Sequence, residues 1–527
     1  MRVPSLAWVA VVPFICCPIT RAAEPPAPAI AAGQPAERIA AADLKADLLT
    51  LRRALEVVHP GLYRYNTKET MAAHFATLEA ALERDQTRQE AFLALSRFTA
   101  KIKCGHTFLN PSNQSKAVVA DLFLRRDKVP FYFRWIDARM IVTRDLTESG
   151  QLRPGTEILE INGSPARAIL ERLMTIARAD GSNDAKRVSL LEVTGAARHE
   201  TFDIYFPILF PPAGPVFELK IRPPGGSADS IISAPALTHE ARLAARRAGD
   251  IAPEGDDQPL WRISDLTDGA AYLPMPSWVA YKTRWDWAGF INDTFDSLVA
   301  KDVPNLVIDL RGNEGGSSVG DVILARLIET PTPRSARQRF VRYLKTPAEL
   351  DPALDTWDPS FRDWSSEAIG PMDLADRETG LAPGTTAGYY RLRNEDGRDP
   401  AESDEMIAPR GPRYRGRVFV LIDASNSSAT FEFASLVKAL NVGTLVGQPT
   451  GGNQRGINGG AFFFVRLPRT GFEIDLPIMA QFLKHGAPLA EDAGVVPDVL
   501  VTPTAEDIAG GVDAERHAVQ RLIRDGK

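Results

Sequence analysis

The 527-residue sequence predicts a multidomain α/β protein, with a helical segment first, a small β-rich segment second and an α/β core third. Three observations carry that expectation. The length leaves room for roughly three domains of about 150 residues. The apolar period changes from helical to alternating near residue 130, and from Leu260 onward strand-like and helix-like runs take turns. With 44% hydrophobic and 24% charged residues, the composition is that of a cored globular protein, not a disordered or fibrous one. A net charge of −6 and the lack of a basic stripe argue against a nucleic-acid partner.

The first residues read as an export signal. Arg2 supplies a positive start, Leu6 to Cys17 is apolar, and Thr20-Arg21-Ala22 offers a small-x-small cleavage pattern, so residues 1–22 are expected to be a signal peptide. The destination is then periplasmic or secreted. Phe14 and Ile15 stand where a lipid-attachment motif around Cys16 or Cys17 would want small residues, which argues against a lipid anchor. No later stretch reaches about 18 consecutive apolar residues, so no stable membrane span is expected. Once the signal leaves, Cys104 is the one remaining cysteine. It can form neither an internal disulfide nor a Cys-type zinc site, and the seven histidines contain no HExxH pairing. No metal and no cofactor are expected.

Residues 23–38 are a Pro/Ala-rich linker. Residues 39–122 form a helical domain, in which Leu44, Leu48, Leu49, Leu51, Leu55 and Val58 recur at helix spacing before a His59-Pro60-Gly61 break. Further amphipathic runs follow from Thr67 to Glu83 and from Thr87 to Ile102. Residues 123–226 are β-rich: Phe131 to Ile136 and Met140 to Thr143 flank Asp137-Ala138-Arg139 as a hairpin. Gly155 to Gly163 is a strand running into a turn, Ala166 to Ala177 looks helical, and Val216 to Ile221 alternates again. Residues 227–258 are expected to be a linker, 259–510 the core and 511–527 a tail. The core is interrupted at 329–415 by an irregular insertion, which suggests a lid or mobile loop.

Three segments could carry chemistry. The strand Asn305 to Leu310 runs into Arg311-Gly312-Asn313-Glu314-Gly315-Gly316, where glycines let backbone amides approach an anionic oxygen; a plain tight turn is the competing reading. The strand Val418 to Ile422 leads into Asp423-Ala424-Ser425-Asn426-Ser427-Ser428-Ala429 and a helix. A serine at such an elbow suits a nucleophile beside an oxyanion hole, although Ser and Asn there are also favoured helix caps. Cys104-Gly105-His106-Thr107 closes the helical domain. His106 could be a base if a nucleophile lies nearby in space, or simply a satisfied interface histidine. Cys104 is the weaker nucleophile candidate, since adjacent positions on an extended strand face opposite ways.

The Gly155–Gly163 stretch resembles the GD-x-I-L-x-I-N-G of PDZ domains, with Thr156 for Asp, which implies capture of extended peptides by strand addition. From about residue 40 to 503 the chain resembles the S41 serine peptidases, the C-terminal processing and tricorn proteases. Leu306 to Gly316 is similar to that family's D-x-R-x-N-x-G-G. Ser428 to Ala434 resembles S-A-A-E-E-F-A with Phe431 for the first Glu, and Cys104 to Thr107 resembles D-G-H-T. Gly447 to Gly452, Leu467-Pro468 and Leu476-Pro477 match the downstream pattern, and Glu491 to Asp498 resembles E-N-x-G-x-x-P-D.

The resemblance implies a ClpP/crotonase-like α/β catalytic core and polypeptide substrates. The processing branch's lysine would fall at Asn453, and no lysine occurs from Ala439 to Ala480. The tricorn branch instead uses Ser, His and Glu with a helper serine beside the His, a place held here by Gly105. The resemblance therefore implies Ser428 as nucleophile, His106 as base and Glu491 as its orienting acid. Backbone amides of Ala429 and of Gly315 or Gly316 would form the oxyanion hole. The function expected is an exported serine endopeptidase acting on unfolded or flexible polypeptides. Gly105 and Phe431 keep an inactive peptide- or ligand-binding relative in view, as the retinoid-binding relatives of this fold do. A hydrolase of another ester or amide is the third reading.

Overall fold

A computed structural model describes residues 37–147, 149–246, 258–266, 269–334, 337–373, 388–394, 397, 405–483 and 490–526. The expected signal peptide and most of the linker after it lie outside those residues.

Short apolar strands that are buried on both faces need helices to cover them, and the third part of the chain meets that need with a mostly parallel sheet. Its order is Val499–Leu500, Thr444–Gly447, Arg417–Ile422, Asn305–Asp309, Ala270–Pro274 and Ser264–Leu266, parallel throughout except for the last pair. Each strand from Ala270 to Leu500 adds on the same side of its predecessor. Leu306, Ile308, Val418 and Val420 pack against the helices Trp287–Ala300, Val319–Leu324 and Ala429–Leu440. Val307, Phe419 and Leu421, pointing the other way, pack on Ala518, Val519 and Ile523. Those three residues belong to the helix Ala514–Arg524, so the expected tail at 511–527 is part of the core's covering. Arg311, at the end of its strand, bridges Asp309, Asp513 and Glu515 and fastens that helix to the sheet edge.

The first two parts of the chain are not separate bodies. The helices Ala41–Val58, Lys68–Ala81 and Arg88–Lys101 appear where the apolar period places them, the third with a reciprocal Thr87/Glu90 capping box. Leu49 is 69% exposed and does not share the buried stripe of Leu44, Leu48, Leu51 and Leu55. Phe92 contacts the rings of Phe123, Tyr205 and Phe472, so residues of all three expected domains fill one core. The hairpin Phe131–Ile136 and Arg139–Asp145 turns through Asp137 and Ala138, both at positive φ, and Glu157–Ile161 and Val216–Arg222 extend the same sheet.

Two other expectations need correction. Ser230–Pro235, placed in the linker, is an edge strand paired with Val216–Arg222. Its outward Ile231 gave the segment no clean alternation. The insertion is not an irregular lid over its described length. Arg337–Val341 is sandwiched between Gly388–Leu392 and Ala480–Leu483 in a five-stranded antiparallel sheet, whose partners are too short and too distant in sequence to show a period.

Buried Asp47 joins the first helix to the turn between Phe462–Arg466 and Glu473–Pro477, accepting from the Arg469 and Thr470 amides and the Thr470 hydroxyl. Asp47→Ala leaves these buried donors unanswered, and we expect a loss of about 3 kcal/mol. The check is the urea midpoint of the full chain. A midpoint equal to that of the parent would show that the contact contributes nothing to docking.

Candidate active site

Parallel strands end at one edge, so the loops after Asn305–Asp309 and Arg417–Ile422 emerge side by side. Buried Asn426 ties them together. Its Nδ2 donates to the carbonyls of Leu310 and Asn313, and its Oδ1 accepts from the Asp423 amide. Two residues on, Ser428 sits at φ 51° and ψ −125° immediately before the helix Ala429–Leu440. A non-glycine residue there carries strain of about 1–3 kcal/mol, and strained serine elbows project their hydroxyl from the sheet edge. The Ser428 side chain does not cap the helix. Ser427 donates to the Ser425 carbonyl and Ser425 pairs with Ser189. Among the described residues no bond engages the Ser428 hydroxyl.

The amides nearest this elbow are unequal. Gly315 donates to Asn313 Oδ1 at 2.9 Å, which removes it as a free oxyanion donor. Gly316, at φ 140°, has no room for a side chain, because a Cβ would stand 2.2 Å from the Trp278 carbonyl oxygen. Among the described residues neither the Gly316 nor the Ala429 amide donates to another group.

His106 arrives from the other side, on the loop after the helix Arg88–Lys101. Behind it, buried His59 accepts from the Gly61 amide and pairs with the Thr107 hydroxyl at 2.8 Å; burial, aided by Arg342, pushes its imidazole down to about 3. His59 is thus a neutral strut. Cys104 accepts a bond from Asn458, but burial pushes its thiol up to about 11 and leaves it inert at neutral pH. His106 faces a cavity of about 220 Å³ shared with Asp180, Lys186, Glu314, Ser427 and Asp475. Its buried Nδ1 has no hydrogen-bond partner. Burial lowers its pKa below the ordinary 6.5; Asp180 and Glu314 oppose that shift, and Arg178 and Lys186 reinforce it. Burial would raise the Glu314 carboxyl, but Lys186 and Arg178 outweigh it and hold the group at about 2. Among the described residues the Asp475 carboxylate accepts from the Asn110 and Asn113 amides, and burial pushes it up to about 6.

Residues 269–501 match the family described as Peptidase family S41. The chain carries an S41 peptidase domain. A comparison with curated proteins yields no match. Among solved structures the chain is similar to mature CPAF complexed with lactacystin, with a TM-score of 0.60 and 18% identity over 92% of this chain and 99% of that one. Mature CPAF alone gives 0.59 and 19% over 92% and 98%. The photosystem II D1 C-terminal processing protease gives 0.40 and 13% over 90% and 98%. At these identities the likeness to CPAF is one of fold.

Within the S41 domain and the segments before it, the structure brings His106 and Ser427 to one cavity and sets Ser428 beside Ser427. No hydrogen bond joins His106 to Ser428. Glu491 is exposed, and none joins it to His106 among the described residues. Its neighbour Asp492 points inward instead, accepting from the Ser182 amide and from Asn453, which occupies the place of the processing branch's lysine. Phe431 is core, covered by the Arg337 guanidinium, and Arg337 also pairs with Glu432. The residues that sequence reasoning missed are Arg178, Asp180 and Lys186, and Glu314 stood in a quoted motif without a role. Residues 178–189 carry no strong period, and the Gly-rich turn drew attention to its amides.

Lys186, with Arg178, adds to the lowering of the His106 pKa that burial begins. With His106 as the base proposed below, which must be neutral to act, kcat/KM is expected to fall as pH drops through its pKa, and the midpoint of that acid limb should lie below 6.5. Lys186→Met removes a repelling charge and should move the limb to higher pH. A limb that stays put or moves down would show that this cation does not act on the base.

Proposed function

We propose that this S41 protein is an endopeptidase that cleaves unfolded or flexible polypeptides through an acyl-enzyme formed on Ser428. The observation that carries the reading is the strained Ser428 elbow with an unengaged hydroxyl, set beside a cavity that holds a neutral-leaning histidine. A free serine hydroxyl is a weak nucleophile at neutral pH, so His106 takes its proton as the oxygen attacks the scissile carbonyl. The developing oxyanion is held by the amides of Ala429 and Gly316, with Gly315 fixing the shape of the turn through Asn313. Losing one such donor typically costs about 2.7–4 kcal/mol of transition-state stabilisation. The same imidazolium then returns its proton to the leaving amine, and water repeats the sequence on the acyl-enzyme.

Glu491 remains the family-implied third residue, and it would have to swing inward for that task. The β-rich segment supports a second part of the proposal. Its strand Ser230–Pro235 lies at a sheet edge, where an extended chain end could add. Export, proposed from the N-terminal pattern, would present the enzyme with polypeptides outside the cytoplasm.

Mass spectrometry of a denatured peptide mixture incubated with the protein, beside Ser428→Ala and His106→Ala, tests the chemistry. We expect new termini from the parent and none from either variant. Cleavage that survives His106→Ala would remove the assigned base. Intact peptides with every folded sample would favour a binding protein on the S41 scaffold.

A further inference from the structure

Gly105 keeps the glycine of the D-G-H-T box and departs only from the tricorn branch's helper serine, and its surroundings explain why no side chain stands there. Its φ is not in the left-handed region, so the glycine is not there for backbone freedom. It is there for space: a Cβ at position 105 would lie 2.7 Å from Asp180 Oδ2 and 3.2 Å from its Cγ. The carboxylate of Asp180 therefore fills the volume that a side chain beside His106 would occupy.

Asp180 is also bonded to the loop that it crowds. Its Oδ1 accepts from the Gly105 amide at 2.9 Å, while Arg178 Nε donates to the Gly105 carbonyl at 2.9 Å. Both backbone groups of the residue before His106 are thus fixed by one short segment, and the Gly181 amide adds a bond to the Lys103 carbonyl. The segment continues to the other loops of the site. Asn183 donates to the carbonyls of Thr450 and Gly452, and Lys186 to the Ser425 carbonyl and to Glu314. Among the described residues no hydrogen bond engages Asp180 Oδ2 or the buried His106 Nδ1, and both residues line the same cavity.

We propose that Asp180 is the positioning residue of the His106 base, fixing its loop through the Gly105 amide and supplying the negative charge beside which the imidazole takes up the serine proton. The inference rests on the peptidase reading for the role of His106, but not for the contact itself. Asp180 does not touch substrate, so its effect passes through His106. The other charged groups facing His106 are Arg178 from the same segment, Lys186 from the helix Asp184–Leu190 and Glu314 from the glycine turn; Asp475 of Glu473–Pro477 lines the same cavity. The strands on the remaining side offer Phe462 and the backbone of Gly459. Of the two acids whose charge favours the imidazolium, Asp180 is the stronger, and it alone bonds the loop.

The first test needs no catalysis. The imidazole titration of His106 is followed by NMR in the full chain, with its signal assigned by its loss in His106→Gln. Asp180→Asn keeps an acceptor for the Gly105 amide but removes the charge, and the His106 pKa should fall, by more than in Glu314→Gln. An unchanged or raised pKa would overturn the proposal. In peptide cleavage the same variant should lose kcat, on the order of 100-fold, with KM unchanged. A rise in KM at constant kcat would instead assign Asp180 to substrate binding.

A second pair of variants guards against simple misfolding. Gly105→Ala should lower the melting temperature of the parent, yet cost much less in an Asp180→Ala background, because the clash is gone. Additive costs would show that the two positions do not meet, and would sink the idea. Gly105→Ser combined with Asp180→Ala, which returns a hydroxyl to the place of the family's helper serine, should recover part of the kcat lost in Asp180→Ala. A parent that cleaves nothing while its His106 pKa responds to Asp180→Asn would refute the peptidase reading and leave the contact standing. Active parent enzyme with an indifferent His106 would do the reverse.

Discussion

The site depends on one constraint: two neighbouring parallel strands must end in loops whose polar backbone is satisfied without water. Beyond Leu310 and Ile422 the ladder stops, and the carbonyls there need donors. Asn426 supplies them from a fully buried carboxamide, answering two carbonyls with one side chain and the Asp423 amide with the same group's oxygen. Only with these two loops cross-linked does the chain reach Ser428 with a backbone forced into an uncommon conformation. An aspartate could accept but not donate here, and a leucine could do neither.

The proposed base comes from a different place and obeys a different requirement. His106 lies at the end of the helical segment, and that segment has no core of its own. Phe92 is packed by Phe123, Tyr205 and Phe472, drawn from the β-rich segment's flanking helices and from the third part of the chain. Carboxylates make the polar joints of this docking: Asp47 at the Arg469–Thr470 turn, and Asp475 with Asn110 and Asn113. The placing of His106 relative to Ser428 is therefore set by tertiary burial and not by any local run of sequence.

That division explains how much could be read in advance. The alternation of strand and helix, the strand ends and Ser428 were legible because period and glycine-rich turns are local signals. Asp180 and Lys186 were not, since their partners lie 75 and 239 residues away and nothing in their neighbours marks them. The insertion after Ile328 failed as a lid for a related reason. Its strand Arg337–Val341 is completed by Ala480–Leu483, and neither half announces the other. The terminal helix was missed because residues 511–527 read as an appendix until Val519 and Ile523 are set against Phe419 and Leu421.

The Arg311 ion-pair cluster gives that last helix a second meaning. Four residues separate Arg311 from Gly316, and the guanidinium is shared among Asp309 on the strand and Asp513 and Glu515 at the helix start. The helix Ala514–Arg524 thus braces the glycine turn proposed to shape the oxyanion pocket, from the opposite side of the sheet. Clipping the chain before Asp513 would leave a cation at the strand end with one carboxylate instead of three and expose the apolar face beneath it. In this chain the helix Ala514–Arg524 is a keystone, and its integrity and that of the proposed reaction centre become the same property.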